Sequence, residues 1–245
     1  MNTIFKKNNI NNTYFSLISI AGLILLLVLV YYSPNTNIVY SNQKQLILSV
    51  FIVICSLGMV AAVSPSRCSG FISPKKFQKP KKIGNEKENV TENIKIRFKG
   101  HHPKCNDFNN HRYSLLGRTY CAGCSGLFIG AFISVIGTVI YYFYGIDGVG
   151  SLIFFIGFIA VLIYLLQDLL LNIDLNIMKF FLNMILVLGS FMLLIGIIEL
   201  NNSISVQLFF LVLVFIWILA RITSSEKKHY KICSECSKGS YCIYR

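Results

Sequence analysis

Charge is what this sequence has least of. Only 13% of its 245 residues are charged, against about 25% in an ordinary soluble domain. Acidic residues number 10 and prolines 5. A disordered chain is polar and poor in aromatics; this one is 13% aromatic, so disorder is excluded. A secreted mini-protein is short and disulfide-dense, and 8 cysteines spread over this length do not make one. Catalytic signatures are missing as well. There are no paired carboxylates, no His-Glu-x-x-His, no Gly-x-Ser-x-Gly elbow and no Walker loop. The expectation therefore leans away from an enzyme.

What is present is apolar. Hydrophobic residues make up 54% of the chain, and the mean hydropathy is +0.61. A helix needs roughly 20 mostly apolar residues to cross about 30 Å of hydrocarbon. Six segments qualify: Thr13–Tyr32, Gln45–Val63, Leu127–Tyr144, Ser151–Leu171, Met178–Leu200 and Ser203–Ile222. None alternates with the period of two expected of a membrane β-barrel. Only Asn201 and Asn202 join the last two, which predicts an antiparallel hairpin. The expected fold class is all-α, a polytopic six-helix transmembrane bundle with a cytoplasmic Cys/His-rich metal-binding segment. Its parts are a cytoplasmic N-terminus (1–12), a transmembrane hairpin (13–63), a basic loop holding the Cys/His cluster (64–126), a four-helix transmembrane part (127–222) and a Cys-rich tail (223–245).

Cytoplasmic loops carry the excess of Lys and Arg. Of the 23 basic residues, all but Lys44 fall on one side of this six-span topology. That places both termini in the cytoplasm and the protein in the cell membrane, as a multi-pass chain. Lys6 and Lys7 ahead of the first span resemble a signal peptide, but Tyr31-Tyr32-Ser33-Pro34 follows instead of a small-residue cleavage site, so a retained anchor is expected. The net charge of +13 is explained by orientation and by attraction to anionic headgroups, without a nucleic-acid partner. Lys75, Lys76, Lys79, Lys81 and Lys82 form a polybasic stretch in a linker over 74–95, read as lying along the lipid surface.

The cysteines and histidines are segregated. Cys55 lies mid-span, as a small buried apolar residue would, and Cys68 just beyond the second span. The other six cysteines sit in two places, Cys105, Cys121 and Cys124 in the long loop and Cys233, Cys236 and Cys242 in the tail. His101, His102, His111 and His229 share those two places. A reducing compartment disfavours a disulfide framework, so clustered Cys and His read as metal ligands or redox centres. Cys121-Ala-Gly-Cys124 and Cys233-Ser-Glu-Cys236 are both Cys-x-x-Cys pairs. A tight turn at this spacing, eased by Gly123, aims two sulfurs at one ion, and two such turns complete a tetrahedral thiolate site. That site would tie the central loop to the tail. Alternatively His101, His102, Cys105 and His111 complete a site with Cys121 and Cys124, and the tail, with Cys242 and His229, needs a different partner. Zinc is the default metal; an iron–sulfur cluster is the alternative. A thiol redox pair also remains open, because Cys121 and Cys124 precede a helix.

The run Gly117-Arg118-Thr119-Tyr120-Cys121-Ala122-Gly123-Cys124-Ser125-Gly126-Leu127 resembles a family of small prokaryotic membrane proteins known only as a domain of unknown function. In that family an upstream Cys/His segment precedes a Cys-Ala-x-Cys-x-Gly element that runs into a Gly-containing span. Gly123 stands where the family has Arg, and the upstream element here reads His101-His102-Pro103-Lys104-Cys105. The resemblance covers residues 101–130. It implies a membrane protein with a cytoplasmic Cys/His element and supplies no activity.

Other positions carry weaker signals. Gly126 and Gly130, with Ser134 and Thr138, form a small-residue face, read either as packing within the chain or as the seam of an oligomer. Asp168 and Glu199 are ionisable residues near span ends and candidates for a transport path. Gln167 and Asn183 are expected to bond between helices. Three functions follow: a structural or regulatory platform with a metal site and a cytoplasmic protein partner, a membrane thiol–disulfide oxidoreductase, or a transporter of metal or lipid.

Overall fold

A computed structural model describes residues 2–33, 42–63, 112–115, 118–146, 148–170 and 176–235. In chain order the elements are α1 (Asn2–Tyr32), α2 (Gln43–Val63), β1 (Arg112–Leu115), β2 (Arg118–Cys121), α3 (Ala122–Tyr144), α4 (Gly150–Leu170), α5 (Asn176–Leu200) and α6 (Ile204–Glu235). All six helices contain a stretch long and apolar enough to cross a membrane, of 18 to 24 residues. These stretches coincide with the expected spans to within a few residues. Large side chains such as Leu17, Val53, Phe132 and Ile159 face outward along them, as hydrocarbon permits.

Helix α5 is the centre of the bundle. More than half of its apolar stretch, 56%, is buried inside the protein, and it packs most extensively against α4 and α3. Glycines make that approach close. A Cβ on Gly157 of α4 would lie 2.8 Å from the Gly189 carbonyl of α5, and one on Gly130 of α3 would lie 3.0 Å from the Met184 carbonyl. Gly126 faces the backbone of Phe180 with still less room. The Gly126/Gly130 face, considered above as an oligomer seam, is therefore occupied within the chain by α5. Backbones this near gain dispersion contacts that lipid cannot supply. Trp217, Phe51, Phe154 and Phe210 fill the remaining interior.

Helices α5 and α6 are joined by a short turn as the sequence predicts, of three residues rather than two, but α6 leans mainly on α1 and touches α5 lightly. The turn itself is pinned by amides. Asn201 is buried; its Nδ2 donates to the carbonyls of Val30 (3.0 Å) and Ser33 (3.4 Å), and its Oδ1 accepts from the Ser203 backbone N–H (2.8 Å). Gln43 Nε2 donates to the Asn202 carbonyl (2.9 Å) and to Gln207 Oε1 (3.1 Å). The bonds tie the ends of α1, α2, α5 and α6 together.

Two features depart from expectation. Arg112–Leu115 and Arg118–Cys121, expected to be loop, pair as two antiparallel strands with Arg112 opposite Cys121 and Tyr113 opposite Tyr120. The two tyrosine rings stack at 5.8 Å, a cross-strand aromatic pair of the kind that stabilises short ladders. Helix α6 continues past Ile222 to Glu235. Glu226, Lys227, Lys228 and Lys231 are good helix formers, and no Gly or Pro interrupts before Gly239.

Candidate functional site

The hairpin delivers the first Cys-x-x-Cys pair to the start of α3. Cys121 ends β2 and is the N-cap residue of that helix, in extended conformation. Cys124 follows in the first helical turn, three residues on and so on the same side. The pair is thus not set in a free-standing tight turn. Gly123 is helical, and among the described residues the positive-φ glycines are Gly145 and Gly148. Cys121 is buried and Cys124 half-buried, and no disulfide joins them. Their thiols face each other within hydrogen-bond reach. Ser125 Oγ donates to the Cys121 carbonyl at 2.9 Å, which steadies the turn.

Arg221 of α6 reaches the same place. Its Nη2 donates to the Gly123 carbonyl at 3.3 Å, its Nε donates to Asn183 Oδ1, and its guanidinium lies beside the Cys124 thiol. Asn183 Nδ2 donates in turn to the Lys179 carbonyl at 2.6 Å. One side chain therefore joins the first turn of α3, a polar position on α5 and the distal half of α6. The expectation that Asn183 bonds between helices is met. Arg221 itself is the residue the sequence does not single out, since its charge reads first as an orienting one. A cation inside an apolar stretch is a functional candidate by default, and that signal was available.

Among the described residues, no group of three or more His, Cys, Asp or Glu is gathered closely enough to hold a metal. His101, His102, Cys105, His111, Cys236 and Cys242 lie outside the described residues. His229 and Cys233 fall on the helical backbone of α6. Cys233 is twelve residues beyond Arg221, roughly 18 Å along a straight helix. Of the second Cys-x-x-Cys pair only the backbone of Cys233 is described. Cys55 is buried in α2, as a small apolar residue would be.

The other end of the bundle holds a second polar group. Tyr141 is buried, its hydroxyl donates to Glu199, and the Lys44 ammonium sits 4.1 Å above its ring. Glu199 is thus engaged by a phenol. Asp168 lies on α4, with only its backbone described.

No family model matches the chain, and neither does any curated protein or solved structure. The functional reading rests on the site itself.

Proposed function

We propose that Cys121 and Cys124 are the thiolate half of a metal site, zinc by default, at the end of a six-span membrane protein. The other ligands would come from His101, His102, Cys105 and His111. One observation carries this reading: Arg112 pairs with Cys121, and the chain immediately before Arg112 is the Cys/His segment. The ladder therefore fixes the point from which that segment departs, beside the two thiols. A closed tetrahedral zinc takes four protein ligands, and Cys121 and Cys124 would supply two of them. Arg221 supports it from behind, since N–H groups bonded to ligand sulfurs and to the knuckle backbone orient a metal site and balance thiolate charge.

With so many ligands at hand the site would be closed, and its role structural or regulatory: a platform on the membrane surface for a cytoplasmic partner. The tail residues Cys233, Cys236 and Cys242 would then form a separate group, because the length of α6 works against a single shared four-thiolate site. A thiol–disulfide centre is the second reading, favoured by the placement of Cys121 and Cys124 at a helix N-terminus beside a guanidinium.

Elemental analysis of the full chain, purified in detergent without added metal, tests the proposal. Wild type is expected to carry stoichiometric zinc or iron that the Cys121→Ser/Cys124→Ser variant lacks. A metal-free wild type whose two thiols oxidise reversibly to a disulfide would overturn it in favour of the second reading.

A further inference from the structure

Helix α6 packs chiefly against α1, with smaller contacts to α5 and α2. Leu208, Val212 and Phe215 of α6 are exposed, and Leu219 and Ile222 are half-buried. From Val212 onward this row alternates by three and four residues, the spacing that keeps one face of a helix toward a partner helix. The alternation does not stop where the apolar stretch does. That stretch ends at Ser225, the helix runs on to Glu235, and Glu226, His229 and Cys233 take the next three places of the same row. Lys227, Lys228 and Lys231 fall at other positions. The row thus passes from apolar residues to metal-ligating types just where hydrocarbon gives way to water.

His229 and Cys233 are four residues apart, roughly 6 Å along the helix. At that spacing one helical turn offers two ligands to one ion. A straight helix offers no third at the same level, since Glu226 is seven residues from Cys233, roughly 10 Å along the axis. A closed zinc site takes four ligands. A second α6 supplies the missing two. Copies inserted in one membrane run parallel, so a two-fold axis along the membrane normal sets His229 opposite His229 and Cys233 opposite Cys233. The other seam the sequence offers, Gly126 with Gly130, is already filled by α5. Two Glu226 carboxylates also come opposite each other in such a pair and repel without a cation between the helices, which makes pairing depend on the ion.

We propose that His229 and Cys233 of two copies of the chain hold one metal ion, zinc by default, and that the copies pair along this row of α6. The inference rests on the reading that the tail thiols are separate from Cys121 and Cys124. The pair supplies two imidazoles and two thiolates, and the thiolates balance the charge of the ion.

Co-purification of two differently tagged copies of the full chain tests this. Both copies carry Cys121→Ser/Cys124→Ser, are co-expressed, and are isolated in detergent through one tag, then assayed for the other tag and for metal. The expected result is recovery of both tags with about half an ion per chain. A chelator should abolish recovery of the second tag, and zinc alone should restore it. His229→Ala and Cys233→Ser should each abolish metal and pairing together while leaving thermal unfolding of the bundle unchanged, because both residues lie beyond the apolar stretch. Wild-type chain should pair equally and hold more metal; wild type with no more metal than the doubly substituted chain counts against the Cys121/Cys124 site alone. A doubly substituted chain that is metal-free, one that binds its ion as a monomer, or pairing that survives both the chelator and the two α6 substitutions would each overturn the proposal.

Discussion

The two ends of the bundle solve the problem of polar groups near a membrane in opposite ways. At the turn between α5 and α6, neutral amides saturate one another: Asn201, Gln43 and Gln207 bind four helix ends. At the Cys121 end, a cation and two thiols are brought together, and α6 reaches the rest of the site through one long side chain. The first arrangement stabilises a connection. The second is organised around groups that can be ligands or nucleophiles. Chemistry belongs at the end where charge and sulfur converge, and rigidity at the end where amides close the turn.

Substitutions can break that division. The largest effect is expected in the seam both ends depend on. Gly126→Leu would drive a side chain into the Phe180 backbone, an overpacking that typically costs 1–3 kcal/mol and more where backbone must move, so at least about 3 kcal/mol is expected here. Its loss of folded protein in a detergent thermal-stability assay should erase both ends together. Next comes Asn201→Leu, which removes three bonds at the turn. A loss of about 2 kcal/mol is expected, with metal content per folded chain unchanged. Reduced metal at equal folded fraction would show that the ends are not separable. Arg221→Gln should do the reverse, lowering metal affinity by about 10–100-fold in competition with a chelator while leaving thermal stability nearly intact; Arg221→Lys, lacking the planar fork, should recover only part. The smallest change is Tyr141→Phe, which deletes the bond to Glu199. About 0.6 kcal/mol of stability is expected, the average for a hydrogen bond within a membrane, and no change in metal.

The spans were legible because a run of about 20 apolar residues admits little else. The glycine face of α3 was legible as a seam, though its partner was not, since spacing says that a helix approaches and never which one. The hairpin escaped notice because four-residue strands give too short an alternation to read; its anchor is one ring pair, Tyr113 with Tyr120. The extension of α6 escaped because hydropathy marks where the membrane ends, while Glu226, Lys227 and Lys228 let the helix continue. At the candidate site, Cys121 and Cys124 announced themselves by spacing. Arg221 showed only as a cation in an apolar stretch; its partner, across 98 residues of chain, was not legible.

X-ray absorption at the metal edge, on purified wild type beside the Cys233→Ser/Cys236→Ser variant, tests the central claim most directly. The account predicts a mixed shell in both, with sulfur at about 2.3 Å and nitrogen at about 2.0–2.1 Å if zinc is the metal. An all-sulfur shell that is lost in the tail variant would contradict it, because that metal would be shared between Cys121/Cys124 and the tail.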